Sequence, residues 1–152
     1  MMYKTHIGIA MFFILLFLPH VNSKIIFAVV CLFAAMLPDI DIASSRVGRA
    51  KAARIVQFFT RHRGFFHSFT FCIAVSVILT LFNPTVILAL PFFLGYSVHL
   101  LADSFTNEGI MPFWPSKKRL SWKIPVNSII EKSIFVSFLV VDLFMLVVLV
   151  LF

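Results

Sequence analysis

Five apolar runs separated by short polar breaks dominate this chain: Ile7–Leu18, Ile25–Leu37, Phe65–Phe82, Thr85–Ala102 and Ser133–Phe152. A helix that satisfies all its own backbone hydrogen bonds can cross hydrocarbon, and it needs about 20 residues to cover roughly 30 Å. The last three runs reach or approach that length. The first two hold 12 and 13 uninterrupted apolar residues, and 12 residues rise only about 18 Å. Either these helices extend through Met1–His6 and Pro38–Ile42, carrying polar residues to the membrane edge, or they form a shallow hairpin. Extension is the favoured expectation, because a polar site would be the reason for it. Residues 19–23, Pro38-Asp39 and Asn83-Pro84 read as turns. A further reading concerns the N-terminus. Lys4, the first apolar run and Val21-Asn22-Ser23 resemble a secretory signal without the usual alanines, and its cleavage would remove His6.

The balance of residue types leaves little room for a soluble domain. Hydrophobic residues make up 61% of the 152 and charged ones 12%, against roughly 45–50% and about 25% in ordinary globular domains. The expectation is one all-α integral membrane domain over residues 1–152, a polytopic bundle of about five helices. The net charge of +7 would otherwise suggest a nucleic-acid partner; here the positive-inside bias accounts for it, and no nucleic acid is expected. If five helices cross in turn, the N-terminus, loop 43–64 and loop 104–132 share one side. They carry twelve of the thirteen Lys and Arg residues, and only Lys24 lies opposite. That orients the chain with its N-terminus inside and its C-terminus outside. Trp114 and Trp122, beside basic residues and prolines, suit the headgroup level. Cys31 and Cys72 sit in apolar runs without ligand-like spacing and read as reduced packing residues.

The ligand-type residues are concentrated at one end. His6 opens the first helix; Asp39 and Asp41 close the second; His62 and His67 open the third; His99 and Asp103 close the fourth; Glu131 opens the fifth. His99 and Asp103 are four apart and project from one helix face, so they can hold one ion or bridge two. Asp39 and Asp41 follow a proline, where an irregular backbone can turn both carboxylates inward. His62 and His67 lie five apart across Gly64, which suits a loop entering a helix. Imidazole and carboxylate without thiolate favour zinc, with manganese or iron as alternatives, as one or two ions. Taken singly, each of these residues is more often a helix cap or an interfacial polar group. Their convergence in a chain so poor in polar groups points to a site, because ionisable residues at membrane depth are costly. His20, in the outer turn, reads as a surface histidine. Asp142 stands eleven residues after Glu131, three turns plus about 20° on the same helix, and is left outside the site.

Thr5-His6, Leu37-Pro38-Asp39-Ile40-Asp41, His62-Arg63-Gly64-Phe65-Phe66-His67-Ser68, and Gly95 through His99 to Asp103 resemble the YdjM-type family. Thr106, Gly109, Trp114-Pro115 and Glu131 follow the same pattern, while Asn107-Glu108 stands where that family often has a proline. The resemblance covers nearly the whole chain. It implies a LexA-regulated, metal-dependent hydrolase of the bacterial inner membrane. It also implies a distant similarity to the zinc-dependent phospholipase C and single-strand nuclease superfamily, of which the His99–Asp103 pair is the visible part. On this reading His6, Asp39, Asp41, His62, His67, His99 and Asp103 hold the metal and Arg63 grips a phosphate. Glu131 is a further ligand or orients one. The expected partner is the lipid bilayer, and the expected substrate a phospholipid or lipid-linked phosphate. The rival expectations are a structural or transport metal site, and a polar end that only docks a partner.

Overall fold

The computed structural model describes residues 1–41, 64–82 and 87–151. His62 and Arg63 lie outside the described residues, as does the side chain of Asp41. Among the described residues the fold is all-helical, as the apolar runs imply. It comprises α1 (Tyr3–Phe17), α2 (Lys24–Met36), α3 (Phe69–Phe82), α4 (Ala89–Ser104) and α5 (Ile129–Leu151). Three 3-10 turns accompany them, at Leu18–His20, Leu37–Asp41 and Phe65–His67. Helix α4 is central, packing against α2, α3 and α1, while α5 lies along α1.

Among the described residues, two segments are long and apolar enough to cross a bilayer, Tyr3–His20 and Ile129–Leu151; α3 is apolar but shorter. Helix α5 inverts the pattern of a soluble helix. Its buried residues are Glu131 and Asp142, whereas Val140, Leu143, Phe144 and Val150 are exposed. A helix apolar nearly all round, with its acids turned inward, suits hydrocarbon as solvent.

The extension expected of the first two helices takes different forms. Helix α1 does begin at Tyr3, ahead of its apolar run. Helix α2 stops at Met36 and continues as the turn Leu37–Asp41, because Pro38 has no N–H to donate and its ring clashes with the helix behind it. The third run also starts later than its apolar pattern suggests. Ser68 is extended (φ −133°, ψ 147°), and its Oγ accepts the Phe71 N–H at 3.2 Å, so it caps a helix that begins at Phe69.

Gly95 sets the spacing of the central pair. A Cβ at this position would lie 2.1 Å from the carbonyl oxygen of Cys31 on α2, closer than any packing allows. At Gly8, on the α1–α5 interface, an added Cβ would meet Phe135 at an ordinary 3.6 Å. Gly95→Ala should therefore force α2 and α4 apart and destabilise the fold by roughly 1–3 kcal/mol, the usual cost of overpacking. Gly8→Ala should be near neutral. Thermal unfolding of the two detergent-solubilised variants, followed by size-exclusion chromatography, checks the contrast.

Candidate metal centre

The cluster is assembled at the end of the helices where α1 and α5 begin and α2 and α4 finish. Helix periodicity supplies one pair: His99 and Asp103 project from the same face of α4, with His99 Nε2 3.8 Å from Asp103 Oδ2. The two turns supply others. The turn after α2 brings Asp39 Oδ1 to 3.7 Å from His99 Nε2, and the turn before α3 brings His67 Nε2 to 3.8 Å from Asp103 Oδ2. The start of α1 adds His6, whose ring stacks on His99 at a centroid distance of 3.9 Å. The His67 ring meets His99 edge-on at 5.6 Å. His6, Asp39, His67, His99 and Asp103 thus come together, in two overlapping triads that share His99. Within His6, His99 and Asp103, and within Asp39, His67 and His99, the ligand atoms lie within 4.8 Å of one another.

The orientation of His99 has a local cause. Its Nδ1 lies 2.7 Å from the carbonyl oxygen of Ala35. A carbonyl only accepts, so Nδ1 carries the proton in the neutral ring and Nε2 presents its lone pair to the cluster. Ala35 is available because of Pro38. In the i to i+3 pattern of a 3-10 turn, the residue that would donate to Ala35 is Pro38, which has no N–H.

Burial sharpens the chemistry. His67 and His99 are fully buried, and His6 and Asp103 are at most 2% exposed. Nε2 of His99 and both ring nitrogens of His6 make no hydrogen bond; His6 Nε2 lies 3.2 Å from Asp103 Oδ1 but out of hydrogen-bonding alignment. Burial pushes the Asp39 carboxyl above its ordinary value, and the neighbouring charge of His6 opposes that rise.

Glu131 sits beside this group in a different role. Its Oε1 accepts the Met2 N–H at 2.5 Å and the Thr5 hydroxyl at 3.2 Å, and its Oε2 accepts the Asn127 N–H at 2.6 Å. The carboxylate ties the first turn of α1 to the start of α5 and thereby fixes His6. Thr5 was a sequence signal only as the neighbour of His6. The Met1 amino group, which donates to Asp103 Oδ1, and the Ala35 carbonyl carried no side-chain signal at all. Asp142 lies three turns up α5, buried with Oδ1 unpartnered, in a groove it shares with Lys4 and Met11. His20 is exposed, and Cys31 and Cys72 are free and buried.

The segment after α4 closes the same end. Thr106 Oγ1 donates to the Asp103 carbonyl at 2.7 Å and accepts the Gly109 N–H at 3.2 Å. Gly109 adopts φ +58°, and a Cβ there would lie 2.3 Å from the Leu120 carbonyl, so only glycine fits the position. Further on, the Pro112 and Trp114 carbonyls accept the Phe69 N–H (2.8 Å) and the Thr70 hydroxyl (3.0 Å), covering the first turn of α3.

Fold and site together define a helical membrane protein with a buried imidazole–carboxylate cluster at one end of its helices. The chain belongs to the family described as YdjM inner membrane protein, which it matches over residues 1–152. It is 30% identical over 88 residues to the uncharacterized protein YvsG of Bacillus subtilis (strain 168), a match covering 57% of this chain and 55% of that one. The matched region thus spans about half of that relative's length. No solved structure matches the chain.

The role of Glu131 gives a testable outcome. Glu131→Gln turns an NH2 group toward N–H donors, leaving buried donors unsatisfied at a cost of about 1–3 kcal/mol. Its thermal unfolding should shift down accordingly, and Thr5→Val, which removes one of the three bonds, should shift it less.

Proposed function

We propose that the protein is a membrane-bound, metal-dependent hydrolase that cleaves a phosphoester of a lipid or lipid-linked substrate at the inner leaflet. The observation that carries this reading is the set of buried ring nitrogens without hydrogen-bond partners on His6 and His99, facing Asp39 and Asp103. Leaving such atoms unpaired costs about 1–3 kcal/mol each, and a divalent cation would satisfy them and neutralise the carboxylates together. The donor set fits zinc, with manganese or iron as alternatives.

An imidazole nitrogen has one lone pair, so His99 serves one ion at a time. Asp103 turns Oδ1 toward His6 and the Met1 amino group and Oδ2 toward His67 and His99, so it would hold a metal ion together with these histidines. A bound ion supplies a polarised phosphoryl oxygen and a water acidified toward neutrality. The chain's own residues do the rest. The Ala35 carbonyl holds the His99 tautomer, Glu131 fixes the helix turn that carries His6, and Arg63, four residues before His67, is the proposed grip on the phosphate.

The near-complete burial of His6, His67, His99 and Asp103 favours a second reading, a closed structural ion that ties the helix ends together. Elemental analysis of the purified protein separates these readings from a metal-free docking surface. The wild type should carry one or two divalent ions per chain, and His99→Ala and Asp103→Ala should lose them. Metal-loaded wild type should then release phosphate or a phosphorylated headgroup from phospholipid, with both variants inactive. Metal bound without any turnover would leave the structural ion standing, and a metal-free wild type would remove both.

The proposed orientation places the cluster on the cytoplasmic side, where twelve of the thirteen basic residues fall. Alkaline phosphatase fused after Phe152 should be active, and the same enzyme fused after Lys123 should be inactive. The reverse pattern would move the cluster to the other face.

A further inference from the structure

Beside the cluster an apolar slot of about 430 Å³ opens between α1, α4 and α5, a size within the range of about 300–1,000 Å³ typical of ligand pockets. Its walls are Ile9 and Phe13 of α1, Val98 and Leu101 of α4, and Ile134 and Phe138 of α5. No polar side chain lines it. Met1, Ala102 and Ile124 form the end nearest the cluster: the Met1 amino group contacts Asp103, and Ala102 immediately precedes it on α4. On the rim, Leu101 and Phe105 at the end of α4 are about half exposed, so the slot opens onto an apolar surface. From the start of α1 at Tyr3 to Phe13 is ten residues, about 15 Å of helical rise.

The polar end of the slot carries the opposite chemistry. Ile124 follows Lys123, and Lys117, Lys118, Arg119 and Lys123 are all exposed on the same loop. Trp114 and Trp122 are exposed among them, as expected of indoles at the headgroup level. An apolar slot whose lining residue Ile124 adjoins the exposed Lys123 of a basic loop complements one kind of molecule, an amphiphile with an anionic head and a hydrocarbon tail.

We infer that the slot holds one acyl chain of an anionic phospholipid, whose phosphate group then lies between the basic loop and the His/Asp cluster. This names the substrate class of the proposed hydrolase and rests on that reading. Filling the slot tests it. Ile134→Trp projects an indole into the slot from α5, whereas Leu143→Trp enters the separate groove that contains Asp142. Ile9→Trp repeats the first test from α1 should Ile134→Trp fail to elute as a single species.

Full-length protein would be incubated with dipalmitoylphosphatidylglycerol in detergent, and retained lipid read by native mass spectrometry. Wild type and Leu143→Trp should each keep one phosphatidylglycerol per chain, with much less phosphatidylcholine. The slot-filling variants should bind about tenfold less, a difference of about 1.4 kcal/mol, with unchanged metal content. Equal retention by wild type and slot-filled protein, or equal retention of the two lipids, would overturn the inference. Phosphatidylglycerol bound in the slot but left intact by metal-loaded protein would remove the substrate assignment alone; only a failure to cleave any phospholipid would remove the hydrolase reading.

Discussion

The contact between α2 and α4 is the constraint on which the rest of the structure depends. It is made twice, one turn apart on each helix. Gly95 lets α4 approach the Cys31 carbonyl, and four residues later on both helices His99 meets the Ala35 carbonyl. The first contact sets how near the helices lie; the second turns that closeness into the orientation of one ring. His99 is the hub of the cluster, stacked on His6, edge-on to His67 and within 4 Å of carboxylate oxygens from Asp39 and Asp103. Any residue at position 95 larger than glycine would move this hub relative to Asp39, since the two sit on opposite sides of the same interface.

Around that pair, polar groups are drawn inward and toward one end. Glu131 takes three donors from two separate parts of the chain, and Thr106 takes its own turn back to the end of α4. These groups are buried with their hydrogen bonds made, which is the condition under which a buried polar group stops being destabilising. His6 and His99 are the contrast. Within a framework that satisfies Glu131 and Thr106 so fully, ring nitrogens without a hydrogen bond on two adjacent histidines are unusual, and the proposed cation would account for them and for the carboxylates beside them.

Much of the fold was legible because apolar runs of this length have few alternatives. All five became helices, and the end at which the ligand-type residues gather follows from the order of helices and turns. The boundaries were less legible. The run 65–82 gave no hint that Ser68 would cap α3 and leave Phe65–His67 as a separate turn, since serine within an apolar run reads as tolerated rather than as a start. Pro38 was visible as a stop, but its second effect, freeing the Ala35 carbonyl for His99, depends on a partner 64 residues away. Glu131 was visible as a ligand type at the right end. That it binds backbone N–H groups of Met2 and Asn127 could not be read, because backbone donors carry no residue identity. Asp41, His62 and Arg63 remain readings of the sequence, lying outside the described residues.

The geometry also explains why the site is built from turns as much as from helices. An α-helix can aim two ligands at one point only from positions three or four apart, and α4 does so with His99 and Asp103. A second pair on a neighbouring helix, with its axis at the usual distance of about 8–10 Å, is the arrangement that bundle metal sites use, and it requires two ligands three or four apart on that helix as well. The 3-10 turns at Leu37–Asp41 and Phe65–His67 avoid this. Each ends a helix or precedes one, so its backbone can fold over the end of α4 and deliver Asp39 and His67 from above while His6 arrives from the side. Among the described residues the same arrangement leaves His67 and His99 fully buried. Among the described residues, the apolar slot between α1, α4 and α5 comes closest to the cluster at Met1, whose amino group contacts Asp103, and at Ala102, the residue before Asp103. On the proposed reading, a centre enclosed in this way would select for molecules that already reside in the membrane.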